Sequence, residues 1–339
     1  MKKIIALTLT IASILLCLAS CKDDSVRDDA VNLSVEATHD NVQALMVTGK
    51  IDVAILPEPK ATVAINAAKA AGFNYSVKLN VSNEWSAVSE TDLAMGCIAV
   101  RNAFVQSSEA SLVNFLSEYK TSIEYIGNPE NKAEAANMIV NAGILPKVPI
   151  ANSALDNLYG AIVYEDGSQM KTTLEGFYDA INLEKPADSF YYIPNSSATV
   201  TTDKAIKIGV MNGPTGMGMA KLINDFGEDI NKYEFVMYSD PQLATADLTK
   251  GEIDMACLPT NAAANLSSKG APISVAAINC LGSLYVVVKD GVEVNSVKDL
   301  VGKTVCYGVP TSTTEPILRY IFGKNGVSVK NIDEDSADE

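Results

Sequence analysis

Little in this chain is equipped for acid–base or metal chemistry. One residue of the 339 is histidine, His39, and one is tryptophan, Trp85. That leaves no histidine pair, no Ser-His-Asp candidate beyond His39, and no nucleophile elbow. Positive charge is also scarce: 26 Lys and Arg against 41 Asp and Glu give a formal net charge of −15. This balance argues against a nucleic-acid footprint and reads as a solvated acidic surface. It does not make a ligand cationic, because local dipoles can dominate a cleft. Cysteines number six, and their spacing matches no zinc pattern. Aromatic residues are 6% of the chain. The apolar run at 4–18 is too short to span a membrane comfortably.

What is present is enough apolar material for real cores, 47%, on a length that fits two domains of ordinary size. Residues 1–20 read as a leader outside the fold. Lys2 and Lys3 give a basic start, the apolar run follows, and small residues precede a cleavage point. Leu18-Ala19-Ser20-Cys21 resembles the bacterial lipobox. The resemblance implies a lipidated Cys21 and a membrane-anchored protein facing the periplasm or cell exterior. Residues 21–30 then form a polar tether. Cys17 leaves with the leader. Cys97, Cys257, Cys280 and Cys306 lie in apolar, strand-like runs and read as buried small hydrophobes. A Cys257–Cys280 disulfide stays open for an exported protein.

One phrase occurs twice. Gly49 to Pro57 reads GKIDVAILP and Gly251 to Pro259 reads GEIDMACLP, each after a short helical stretch opened by an acidic residue, Asp40 or Asp240. Two distant copies point to two similarly built lobes, not to a solenoid. A cleft between such lobes is a favoured place for a ligand. Apolar runs at 51–56, 206–211, 253–258 and 304–309 suit parallel strands covered on both faces. Further strands are expected at 31–36, 75–81, 96–100, 234–238, 273–278 and 284–288. Helices are expected at 39–47, 60–71, 219–229, 241–249 and 314–323, and a helical stretch with 3.6-like spacing at 108–127, 130–142, 149–162 and 168–183. Residues 192–203 form a Ser/Thr-rich linker, and 331–339 an acidic tail.

KIGVMNGPTGMGMAKLI (207–223), GKIDVAILPEP (49–59) and the stretch 281–327 together resemble bacterial ABC-transporter substrate-binding proteins of the nitrate/sulfonate/taurine/thiamine-precursor type. Residues 108–183 resemble that family's C-terminal helices. The resemblance implies an α/β, two-lobed periplasmic-binding-protein (Venus-flytrap) fold, each lobe a mostly parallel sheet flanked by helices. It implies a monomer without cofactor or metal that captures a small molecule and passes it to an ABC permease. The segment order departs from the family, where the part like 204–330 comes first. Joining Lys330 to Val31 would give Gly308 and Gly49 nearly the spacing of Gly209 and Gly251. The chain therefore reads as circularly permuted. The expected organisation is lobe B (second part) at 31–96, the hinge return and helices packing on lobe A at 97–191, the linker at 192–203, lobe A at 204–288, and the hinge with the first part of lobe B at 289–339. Crossings between lobes are expected near 284–288 and 97–101.

Ligands in doubly wound sheets bind outside the carboxyl ends of the strands. Four such ends stand out. Asn212, Gly213, Thr215, Gly216 and Met217 form a glycine-rich turn at a helix start, where unpaired N–H groups can meet an anion or polar oxygen. It lacks the Gly-Lys-Ser/Thr ending of a P-loop. Thr311, Ser312 and Thr313 are its counterpart in the other lobe, able to cap the helix or bind ligand oxygens. Thr260 and Asn261 follow one repeated strand, and Glu58 follows the other. A carboxylate there favours a ligand with N–H donors or positive charge. Trp85 can stack on a planar ligand or pack in the core. His39 is a ligand contact or a structural residue at a helix start. The ligand is either a sulfonate-like anion or a thiamine-precursor-like heterocycle. A solute-binding lipoprotein heads the functional readings. A sensor lipoprotein and a pyrimidine-synthase-like enzyme on the same fold are the alternatives.

Overall fold

The computed structural model describes residues 29–310 and 312–332. The expected leader, the expected lipidation site Cys21, Thr311 and most of the expected acidic tail lie outside the described residues. The chain opens with β1 (Ala30–Glu36), α1 (His39–Val47), β2 (Val53–Pro57), α2 (Lys60–Ala70), β3 (Tyr75–Asn80) and α3 (Val81–Ser86). It continues through β4 (Ala94–Arg101), α4 (Asn102–Gly127), α5 (Lys132–Asn141), α6 (Val148–Asn157), β5 (Ile162–Asp166) and α7 (Gly167–Ala180). After the linker come β6 (Ile206–Met211), α8 (Pro214–Met217), α9 (Ala220–Phe226), β7 (Tyr233–Tyr238), α10 (Pro241–Lys250), β8 (Met255–Pro259), α11 (Thr260–Ser268) and β9 (Ile273–Leu281). It ends with β10 (Leu284–Lys289), β11 (Thr304–Gly308), α12 (Thr314–Lys324) and β12 (Ser328–Asn331).

These strands form two mixed sheets, β12-β1-β11-β2-β10-β3 in the first lobe and β5-β9-β4-β8-β6-β7 in the second. The first sheet thus takes strands from both ends of the chain. Strands β11 and β2 are parallel neighbours, Val305 opposite Val53. Polarity matches between lobes. In the second, β7, β6 and β8 are parallel and β4 runs against β8 and β9. In the first, β1, β11 and β2 are parallel and β10 runs against β2 and β3.

The repeated phrase has a local cause. Each copy leaves a helix through a glycine with positive φ, Gly49 at 66° and Gly251 at 83°, a backbone turn that L side chains resist. The apolar residues that follow become β2 and β8, covered on both faces. The preceding helices are capped alike: Thr38 accepts from the N–H of Asn41 at 3.2 Å and Asp240 from that of Gln242 at 2.8 Å. One contiguous core runs through both lobes, from Ile55 and Val305 to Ile98 and Met255. A smaller cluster under α1 and α2 includes Met46, Leu56, Val287 and Cys306.

Several boundaries differ from those expected. The helix expected at 149–162 stops at Asn157, and Ile162–Asp166 forms edge strand β5 against β9. Gly160, at φ 77°, ends the helical path, and Ile162-Val163-Tyr164 favours extended backbone. Residues 219–229 contribute only the seven-residue α9, and Pro214 starts a separate turn, α8. Strand β12, which no sequence pattern marked and which ends at the first residue of the expected tail, pairs in parallel with β1. The crossings also move. Strand β10 lies wholly in the first sheet and β4 wholly in the second, so the chain passes between lobes at Gly282–Ser283 and between α3 and β4. None of Cys97, Cys257, Cys280 and Cys306 forms a disulfide, and all four are buried.

Candidate ligand site

Both sheets turn the carboxyl ends of their parallel strands toward one another. A Cβ placed on Gly213, after β6, would lie 3.8 Å from Cδ of Pro59, after β2. The glycine-rich turn of the second lobe therefore meets the Pro-Glu-Pro turn of the first. Gly213 takes φ 113°, a conformation that needs glycine. Gly216 has no room for a side chain, since a Cβ there would stand 1.9 Å from the carbonyl oxygen of Met211. Asn212 is exposed and Thr215 half-buried. Met217 is fully buried in the shared core.

The other expected contacts have definite partners. Glu58 is 1% exposed. Thr62 donates to it from Oγ1 at 3.0 Å, and Asn157 donates from Nδ2. Burial pushes the carboxyl above its ordinary value of 4.5, while the bonds from Asn157 and Thr62 pull it down. Asn157 belongs to α6, which packs on α5 and through it on α9 of the second lobe. Two more bonds follow the same route: Tyr285 OH donates to the carbonyl of Asn157, and the hydroxyls of Thr62 and Ser153 lie 3.2 Å apart. Glu58 is thus part of a polar clasp between lobes.

Thr260 donates from Oγ1 to the carbonyl of Ala94 at 2.7 Å, and its own carbonyl accepts from Tyr178 OH at 3.2 Å. Asn261 is half-buried in the first turn of α11. Ser312 accepts on Oγ from the N–H of Thr314 at 3.3 Å, and Thr313, at the N-cap of α12, is buried and makes no side-chain capping bond. The same turn holds Val309 at φ 66°, costly for a β-branched residue. His39 sits against β11, where a Cβ on Gly308 would stand 2.8 Å from its Cδ2. Burial first, then Lys60, lowers its pKa, so the imidazole is neutral at pH 7. Lys60 is itself paired with Asp40. Trp85 is completely buried, its ring centroid 4.7 Å from that of Tyr320 and 5.7 Å from that of Phe177. Its Nε1 donates to the carbonyl of Thr91 at 2.6 Å. It packs at the hinge and joins α3, α7 and α12.

The structure adds residues that sequence reading missed. Asn157, Ser153 and Tyr285 complete the clasp, and no sequence signal marks them. Asn279 and Ser82 lie beside the crossings. Asn279 had a visible signal, a polar side chain inside the apolar run ISVAAINCL. On one flank of the cleft, a cavity of about 450 Å³ opens between the end of α7 (Ile181, Asn182) and the start of α12 (Pro310, Ser312, Tyr320). Among the described residues no helix is long and apolar enough to cross a membrane.

Comparison with known proteins returns the family model described as NMT1/THI5 like over residues 227–336, about a third of the chain. No curated protein matches at a significant level. Solved structures that match include the periplasmic VFT2 domain of BvgS from Bordetella pertussis, at 10% identity over 85% of this chain and 72% of that one, TM-score 0.31. The substrate-binding protein AbpA of an amino acid ABC transporter from Streptococcus pneumoniae, bound to L-arginine, matches at 11% identity over 85% and 69%, TM-score 0.31. An ancestral arginine-binding protein bound to glutamine matches at 12% over 87% and 92%, TM-score 0.32. Scores this low define no fold, so the classification rests on the sheets themselves. Two mixed α/β sheets of matching order and polarity, with strand ends opposed across two crossings, define a two-lobed Venus-flytrap protein.

Proposed function

We propose that this chain is a non-enzymatic solute receptor of the cell envelope. It holds a small organic molecule between its lobes, closes by bending at Gly282–Ser283 and at the α3–β4 connection, and delivers the molecule to an ABC permease. Lipidation at Cys21 would keep it at the membrane. The observation that carries this reading is the meeting of the Gly213 and Pro59 turns across the lobes. The match of residues 227–336 to the NMT1/THI5 like model supports it. The matched segment runs from β7 to β9 of the second lobe into β10, β11 and β12 of the first, so one contiguous family match crosses from one lobe to the other.

Small-angle scattering on the mature protein, with and without candidate solutes, tests the proposal. A bound solute should shrink the radius of gyration and raise the melting temperature, by about 2.7 kcal/mol of stability at a hundred times its dissociation constant. Binding without compaction contradicts lobe closure. Turnover of the bound compound contradicts the receptor reading.

A further inference from the structure

We infer that Ser122 is a positioning residue for the glycine-rich turn of the cleft. Its hydroxyl replaces one rung of the helix that follows that turn, and so fixes where the second lobe meets the first. The consequence for ligand binding rests on the receptor reading above.

Residues 214–226, after β6, form two helical pieces, α8 and α9. No proline lies between Thr215 and Phe226 to force the break. The backbone ladder shows what does. The N–H of Met217 donates to the Gly213 carbonyl at 3.1 Å, and that of Ile223 to the Met219 carbonyl at 2.9 Å, each four residues back as in an ordinary helix. Between these rungs the N–H of Leu222 would donate to the Gly218 carbonyl. It donates instead to Ser122 Oγ at 3.0 Å, and that hydroxyl donates to the Gly218 carbonyl at 2.6 Å. A side chain from α4 has entered the ladder, which is a known cause of sharp helix breaks.

Two further contacts hold the break open. The Thr215 carbonyl, whose helical partner would be the N–H of Met219, accepts from Asn279 Nδ2 at 3.0 Å, and the Met219 N–H turns to the Gly216 carbonyl at 2.9 Å. A Cβ on Gly218 would stand 2.6 Å from Cγ1 of Ile123, so the glycine lets α4 come close enough for Ser122 to reach the backbone. Ser122 is 2% exposed, and Gly218 and Leu222 are buried with it. Buried backbone groups are nearly always paired. Without the hydroxyl, the partner left to the Leu222 N–H and the Gly218 carbonyl is each other. Closing that rung draws α8 into line with α9 and moves Gly213, which leads into α8, off Pro59.

The test compares the mature wild type with Ser122→Ala and Ser122→Thr. Crystal structures should show the Leu222 N–H on the Ser122 hydroxyl in the wild type and on the Gly218 carbonyl in Ser122→Ala. Residues 213–217 should shift in Ser122→Ala by more than about 0.5 Å, beyond what a built binding site tolerates. Titration calorimetry with a series of aminopyrimidines and a series of alkylsulfonates supplies the functional readout. Ser122→Ala should hold the solute that the wild type binds about tenfold or more weakly, and Ser122→Thr, which keeps the hydroxyl, should hold it at near wild-type strength. A serine that only stabilised the fold would lower the melting temperature and leave the affinity of the folded variant unchanged. A wild type whose Leu222 N–H bonds the Gly218 carbonyl directly overturns the inference, whether or not Ser122→Ala folds. A folded Ser122→Ala with the turn in place, or with wild-type affinity, overturns it and leaves the receptor standing. If the wild type binds neither series, the receptor reading falls, and the position of the turn alone upholds or overturns the role of Ser122.

Discussion

A cysteine reacts as its thiolate, and Cys97, Cys257 and Cys280 are held far from that form. Burial raises the thiols of Cys257 and Cys280 to about 12 and pushes Cys97 still higher. A thiol-exchange reagent at neutral pH should leave them unmodified in the native protein and modify them on unfolding. Rapid modification of the folded protein would contradict the burial. Glu58 behaves in the opposite sense to a surface carboxylate. Its folded pKa is raised, chiefly by burial, so the folded state holds the proton more tightly than the unfolded one. Its contribution to stability is greatest below the ordinary value of 4.5 and is lost as pH climbs through the raised value. Glu58→Gln keeps the polar shape and removes the titration. The melting temperature of the variant should therefore gain on that of the wild type between about pH 4 and about pH 7. A constant difference across that range would show that Glu58 does not titrate in this way.

At the level of elements, the connections that join the lobes matter most. Helix α3 is one turn and a half long, yet it carries Trp85 between Phe177 of α7 and Tyr320 of α12. Trp85→Ala would empty the largest fully buried side chain in the molecule. It should cost about 3–5 kcal/mol in denaturant unfolding; a cost under about 1 kcal/mol would mean the site collapses freely or is not packed as described. Local patterning made most elements legible. Alternation marked β1 and β3, unbroken apolar runs marked β2, β6 and β8, and an acidic residue at the opening, Asp40 or Asp240, marked α1 and α10. What escaped was decided by contacts across the fold. Asn80 caps a helix around Trp85 that reads as loop, accepting from the N–H of Ser82 at 2.8 Å. Strand β5 exists because β9 offers it an edge. At the site, the glycine-rich turn and Glu58 were visible in sequence as unusual residues beside strands. The partner of Glu58 was not, since Asn157 is brought to it by helix packing.

Over the whole molecule, the matching order and polarity of the two sheets give a rule for connectivity. Strand β11 takes the place of β6, β1 that of β7, and β2 that of β8. The link from β6 to β7 is a short helical connection, whereas the one from β11 to β1 passes through the two ends of the chain. Strand β12 lies beside β1, with Ser328 opposite Ala30, so the first and last described residues of this sheet are close. A rearranged chain that opens within 192–203 and joins residue 332 to residue 30 through a short flexible linker should fold to the same melting temperature within a few degrees and bind the same solute. Failure of that protein to fold would show that the present order is needed for the first sheet. The interleaving also bears on biosynthesis. Strands β1 to β3 leave the ribosome first but meet β10 and β11 only when translation is nearly over. For most of that time their apolar surface has no neighbour of its own sheet, and the first sheet is completed only as the last fifty or so residues are made.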